Sequence, residues 1–256
     1  MNCFQRIAII ALIACSSLGA WKASAAEAAA KSVVLVHGAF ADGTSWAKVI
    51  PLLQAKGLNV IAVQNPLSSL AADVDAARRA IEAQTGPVIL VGHSYGGVVI
   101  TQAGVHPKVA ALVYIAAFAP PKGESVNGLG KGQPAPPWSG SIKADSGGYL
   151  SLMPEGIAKF FAQDLPAKEI AILAATQGPT FGGAFDDKVT ETAYAAKPSW
   201  YVVAKQDRMI PPDLEMAMAK AANAKITAVE SSHVAMLSKP KEVAEVILAA
   251  AESVKE

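Results

Sequence analysis

The most chemically suggestive stretch of the chain is Gly92-His93-Ser94-Tyr95-Gly96-Gly97. It follows the apolar run PVILV at once and leads into a helix-forming run, so the pattern G-x-S-x-G stands in a strand–turn–helix setting. Such a turn is tight. Bulky residues at 92 and 96 would meet neighbouring elements, and the strained backbone lifts the Ser94 hydroxyl clear of the sheet. The helix that opens there aims its unpaired N–H groups and positive end at the same point. Ser94 is therefore the expected nucleophile of an acyl-transfer site.

A serine nucleophile needs a base that is itself held in one tautomer. Two histidines lie downstream, His106 and His233. His106 precedes Pro107 between a helix and a strand and is expected at the surface. His233 follows the run KITAVE in the loop Ser231-Ser232-His233, and is the expected base. The third member is expected to be Asp207, just past the apolar run SWYVVA in AKQDRMIPP, which gives the chain order serine, acid, histidine. Glu124 is the main rival, since it follows the strand ending near Ala117. Glu230, Asp186 and Asp187 fit less well: the first belongs to a strand end and the others to an inserted region.

Charge that develops on a carbonyl oxygen needs donors. The loop His37-Gly38-Ala39-Phe40 follows the apolar run SVVLV and is expected to supply one main-chain N–H, from Ala39 or, one residue on, Phe40. The other is expected from Tyr95, directly after the nucleophile. His37, placed at the strand end before a glycine, is read as orienting this loop and not as the base.

The elements that hold these residues follow from the pattern. Continuous apolar runs at 32–36, 59–63, 87–91, 109–115, 199–204 and 225–230 read as strands buried on both faces. Helical segments separate them, at 46–56, 70–85, from 96, at 213–222 and at 241–254. On the second, Leu70, Val74, Ala77 and Ile81 form one apolar face, with Asp73, Arg78, Arg79 and Glu82 mostly elsewhere. The fold class is α/β, a mainly parallel sheet flanked by helices. The alternation breaks over about 121–195, where Pro, Gly and Ser are frequent and helical pieces appear near 154–163 and 167–175. This region reads as a short helical cap inserted into a single domain of residues 27–256.

Composition agrees. The chain is 52% hydrophobic and 17% charged, enough to bury a large core. With 22 basic and 21 acidic residues the net charge is +1, which gives no footprint for nucleic acid. Four histidines and two cysteines are too scattered for a metal site, and acyl transfer by a serine requires no cofactor.

Residues 1–26 read as a signal peptide. Arg6 precedes the apolar run IAIIALIA, and small residues lead to Ala23-Ser24-Ala25-Ala26. Cleavage after Ala25 or Ala26 would remove both Cys3 and Cys15, and the expected location is periplasmic or secreted. The alternative is a lipoprotein: Leu12-Ile13-Ala14-Cys15 has the form of a lipidation site, and only then would a membrane be a partner.

Four stretches carry a family resemblance: VLVHGAFADGTSWAKVIPLL, VILVGHSYGGVVI, VAKQDRMIPP and VESSHVAMLSKPKEVAEVI. They resemble the α/β-hydrolase superfamily, and within it the branch of plant methyl-ester esterases, hydroxynitrile lyases and bacterial esterases. The resemblance implies the roles given above for Ser94, Asp207, His233, Ala39 and Tyr95, and a small-molecule ester as substrate. It also implies an apolar pocket lined by the cap, for which Trp138, Tyr149, Phe160, Phe161, Phe181 and Phe185 are candidates. The lyases of this branch carry a lysine directly after the base and a threonine after the first-loop histidine. Here those positions are Val234 and Gly38, so the resemblance points to the esterases. The other readings are a carbon–carbon lyase and a non-catalytic ligand-binding protein of the same fold.

Overall fold

A computed structural model of the chain describes residues 31–254. The expected signal peptide and Cys15 lie outside the described residues. The core opens with strand β1 (Ser32–Val36), helix α1 (Ile50–Gln54), strand β2 (Asn59–Val63), helix α2 (Leu70–Glu82), strand β3 (Val88–His93), helix α3 (Gly96–Ala103) and strand β4 (Val109–Ile115). The segment that follows holds α4 (Val126–Leu129), β5 (Ile142–Ala144), β6 (Tyr149–Leu152), α5 (Pro154–Gly156), α6 (Ala167–Thr176) and β7 (Thr180–Phe181). The core then resumes with β8 (Ser199–Ala204), α7 (Pro212–Ala221), β9 (Lys225–Val229), α8 (Ala235–Ser238) and α9 (Pro240–Ser253).

Six strands form one sheet in the order β2-β1-β3-β4-β8-β9, and every pairing is parallel. β1, β3 and β8 are buried throughout and β4 nearly so, as continuous apolar runs between two helical layers must be. β2 and β9 close the sheet at its edges; β2 is mostly half-buried and β9 mostly exposed, although their sequences are almost as apolar. Because all the strands run one way, their carboxyl ends gather the loops after β1, β3, β8 and β9 on one rim. That rim brings positions 37–40, 94–95, 207 and 233 together from distant parts of the sequence.

Three local readings change. The helix expected over 46–56 is split into a 3₁₀ turn, Gly43–Trp46, and the short α1. Pro51 explains the break: it has no N–H to give to a preceding turn, and it sits instead in the first turn of α1, where none is needed. Asp73 is fully buried, not on the outer face of α2. It turns back to accept the Leu67 N–H at 2.7 Å, satisfying a backbone group in the loop before the helix. Finally, the cap is not purely helical. It carries a small antiparallel sheet, β5-β6-β7, and a wide π-type turn over Ile157–Phe161 directly after α5.

Candidate active site

Ser94 sits between β3 and α3 with φ of +53°, in the left-handed region that a serine rarely adopts. Hydrogen bonds hold it there. Its N–H donates to the Ile115 carbonyl at 3.3 Å, and its carbonyl accepts from Gly97 at 2.9 Å and Phe118 at 3.1 Å. The flanking glycines are required by close approach. A Cβ on Gly92 would stand 2.5 Å from the Gly96 carbonyl oxygen, and one on Gly96 would stand 2.5 Å from that of Val36. The strand end, the turn and the first turn of α3 are thus packed backbone to backbone, and Ser94 is left 7% exposed at the rim.

Asp207 and His233 meet. His233 Nδ1–H donates to Asp207 Oδ2 at 2.5 Å, and both side chains are buried. Asp207 Oδ1 accepts the N–H groups of Met209 at 2.7 Å and Ile210 at 2.9 Å, so the turn after β8 folds around its own carboxylate. With Nδ1 committed as donor, His233 has Nε2 left as acceptor. The neighbouring elbow fixes the His233 loop through a residue with no role assigned from sequence. His93 Nε2–H donates to the His233 carbonyl at 2.9 Å, and the two rings lie 4.7 Å apart. Burial, and then the nearby His233, push the His93 imidazole well below the ordinary histidine range, so it is neutral. The only sequence signal for this contact is adjacency to Ser94. Among the described residues no hydrogen bond joins Ser94 Oγ to His233; in unliganded sites this contact is often long and tightens when substrate binds.

The loop after β1 is built for its neighbour. A Cβ at Gly38 would lie 2.7 Å from Ser94 Cβ and 2.9 Å from the His93 carbonyl oxygen, so no side chain fits there. His37 is fully engaged: Nδ1–H donates to the Gly38 carbonyl at 2.9 Å, and Nε2 accepts the Asn65 N–H at 2.9 Å. Burial holds its basicity below the ordinary value. It organises the loop, as its position before Gly38 suggested. Phe40 takes φ of +57° and its N–H points to Thr180 Oγ1 of the cap, 3.4 Å away. That contact occupies the alternative donor. The N–H groups of Ala39 and Tyr95 have no intramolecular acceptor among the described residues.

The rival acids lie elsewhere. Glu124 borders a polar surface cavity of about 500 Å³ with Asn127, Lys131, Asp186 and Lys188. Asp186 accepts from Asn127 at 2.8 Å, Asp187 accepts the Leu70 N–H at 2.9 Å, and Glu230 pairs with Lys205 at the surface. His106 is half-buried and accepts the Lys108 N–H at 3.2 Å. Among the described residues no group of three His, Cys, Asp or Glu side chains is arranged to hold a metal ion.

Of the cap aromatics, two reach this region. Phe161 is buried with its ring 5.2 Å from that of His233, and Phe185 packs edge-on to Tyr95 at 5.6 Å and near Phe40 at 6.3 Å. Trp138 instead ties down the acid turn, donating to the Met209 carbonyl at 2.9 Å. Tyr149 and Phe181 pair with each other on the small sheet, and Phe160 lies under Lys159. Polar bonds join the cap to both loops of the buried pair: Gln163 to the Gln206 carbonyl, Arg208 to the Lys159 carbonyl, and the Ser232 N–H to Asp164 at 2.8 Å.

The model of the Alpha/beta hydrolase family matches residues 33–246, which span β1, the elbow, the acid turn and the histidine loop. The chain belongs to the α/β-hydrolase family. Among curated relatives of this hydrolase, Methylesterase 1 of Arabidopsis thaliana is 26% identical over 250 residues, covering 84% of this chain and 94% of the relative. Alpha-hydroxynitrile lyase of the same plant is 29% identical over 240 residues, covering 82% and 93%. Among solved structures, polyneuridine aldehyde esterase superposes with a TM-score of 0.75 at 21% identity, covering 86% of this chain and 98% of that one. The α/β-hydrolase fold is thus shared along nearly the whole length of these relatives.

Proposed function

We propose that this α/β hydrolase is an exported serine esterase that cleaves small, partly hydrophobic carboxylic esters through an acyl-enzyme. The observation that carries the reading is the buried Asp207–His233 pair, bonded at 2.5 Å and tied by His93 to the strained turn that presents Ser94. In the proposed mechanism Ser94 Oγ attacks the ester carbonyl as its proton passes to His233 Nε2. Asp207 holds the imidazole in the required tautomer and stabilises the imidazolium. The N–H groups of Ala39 and Tyr95 receive the oxyanion. The tetrahedral intermediate collapses, and His233 gives its proton to the departing alcohol. Water, deprotonated by His233, then attacks the acyl-enzyme, and its proton returns to Ser94 as the acid leaves.

Phe161, Phe185, Phe40 and Tyr95 border the site, which favours a compact apolar acyl or alcohol group over a charged one. The lyase reading is disfavoured by two positions. Gly38 has no room for a side-chain donor, and the buried Val234 offers neither charge nor hydrogen bond after the base. Giving the purified protein p-nitrophenyl esters of increasing acyl length beside mandelonitrile separates the two. Ser94-dependent ester cleavage, greatest for short chains, is the expected result; Ser94-dependent cyanide release at an equal or higher rate would overturn it. Export rests on Arg6, IAIIALIA and the alanine-rich end of the expected signal. An intact mass starting at Ala26 or Glu27 supports a soluble exported form, and a lipid-modified Cys15 at the N-terminus contradicts it.

A further inference from the structure

Next to Asp207 lies a second acid that the mechanism above does not use. Glu215, in the first turn of α7, is 0% exposed. Its Oε2 accepts the Ala204 N–H at 3.0 Å, at the strand end from which the acid turn departs. The Asp207 N–H returns to the Ala204 carbonyl at 3.1 Å, so both acids are anchored on one residue. The other oxygen, Oε1, is buried with no donor directed at it among the described residues. Ala204 thus holds Glu215 through its N–H and Asp207 through its carbonyl, which makes the two acids neighbours.

The groups facing Glu215 are the Asp207 carboxylate from the β8–α7 turn and the Tyr201 phenol from β8; His233 stands beyond Asp207. Among the described residues no lysine or arginine forms an ion pair with Glu215 or Asp207. Two neighbouring carboxyl groups, both buried and without a cation, do not both ionise. Asp207 accepts three N–H donors, from Met209, Ile210 and His233, whereas Glu215 accepts one. The negative charge therefore belongs on Asp207. Burial, and then the charge of Asp207, push the Glu215 carboxyl well above the usual carboxylate range.

We propose that Glu215 is a positioning residue that keeps its proton at neutral pH and donates it in a hydrogen bond from Oε1 to Asp207, fixing the carboxylate that orients His233. This rests on the reading of Asp207 and His233 as acid and base. A neutral donor holds Asp207 in place without adding a second negative charge behind the histidine. An ionised Glu215 would add that charge and hold the His233 proton more tightly.

Glu215→Gln keeps a donor and an acceptor and carries no charge. The expected result is kcat/KM within about threefold of the natural enzyme at pH 7, with the acid limb of the pH profile unmoved. A carboxylic-acid C=O band in the infrared at neutral pH should be present in the natural protein and lost in the variant. Glu215→Met removes both polar groups and should lower kcat roughly 10- to 100-fold with KM little changed, as loss of an orienting partner does. The proposal is overturned if Glu215→Gln moves the acid limb down by about a unit or more, if no carboxylic-acid band is lost, or if a folded Glu215→Met keeps full kcat. Should Glu215→Met fail to fold, the Gln variant decides alone. The infrared band is also read in Ser94→Ala, so the state of Glu215 is tested even if ester cleavage proves independent of Ser94.

Discussion

β3 and α3, which flank Ser94, bury every residue except Gln102, whereas α6, the longest helix of the cap, buries only Leu173. Around the elbow, backbone packs on backbone at distances where a single added carbon does not fit. The cap meets the core through side-chain bonds, aromatic rings, buried apolar residues such as Ile157 and Leu165, and two main-chain bonds, from Phe181 to Leu67 and from Gly178 to Ala41. The difference separates two tasks. The residues proposed to move protons must be held to fractions of an ångström, and they sit at the ends of the rigid sheet. The cap aromatics proposed to shape a pocket sit on a segment whose looser packing tolerates change.

The largest expected effects fall on the rigid side. Ser94→Ala and His233→Ala should each lower ester turnover by a factor on the order of 10⁶ with the fold intact, because a triad acts as one unit. Asp207→Asn should cost about 10⁴ through loss of the histidine tautomer. Glu124→Gln, at the surface cavity, should stay near the natural rate. If Glu124→Gln were the damaging change and Asp207→Asn harmless, the acid assignment would fail.

Gly96→Ala should destabilise the protein by roughly 2–4 kcal/mol in urea unfolding, since the new carbon meets the immobile Val36 carbonyl. An unchanged midpoint would mean that the elbow is far softer than its packing implies.

Asp73 sharpens the contrast through pH. Burial raises its carboxyl from 3.8 to about 6, against the lowering effect of the Leu67 N–H. Between about pH 4 and 6 the folded state holds this proton and the unfolded chain does not, so stability falls as pH rises through that window. Asp73→Asn keeps an acceptor for Leu67 and has nothing to titrate. It should nearly match the natural protein near pH 4 and exceed its stability by on the order of 3 kcal/mol at pH 7. Parallel stability profiles for the two proteins would contradict this.

The smallest effect belongs to the cap. Phe185→Ala should raise KM for short p-nitrophenyl esters about three- to tenfold and leave kcat within about threefold, since the ring borders the site without touching the proton path. A large fall in kcat instead would place Phe185 in the support of Tyr95.

Legibility from sequence follows the same division. The strand β3, its glycines and Ser94 were readable because close backbone approach and strong burial dictate residue type position by position. The buried Asp207–His233 pair was readable as two turns that follow apolar strands. The cap was not: its small sheet rests on strands too short to show alternation, and its π-type turn leaves no periodic trace. Pro51, by contrast, was visible and should have divided the helix expected at 46–56. Asp73, His93 and Glu215 escaped because a polar side chain on a helix or strand reads as solvent-facing unless its buried partner, distant in sequence, is known. Each of them supports a loop at the rim through a bond to a backbone group.

The central claim, that Ser94 is an activated nucleophile, is tested most directly by a fluorophosphonate probe read by intact mass and peptide mapping. The account predicts one adduct per chain, on Ser94, in the natural protein, and none in Ser94→Ala. A folded natural protein that stays unlabelled, or equal labelling of Ser94→Ala, would contradict it.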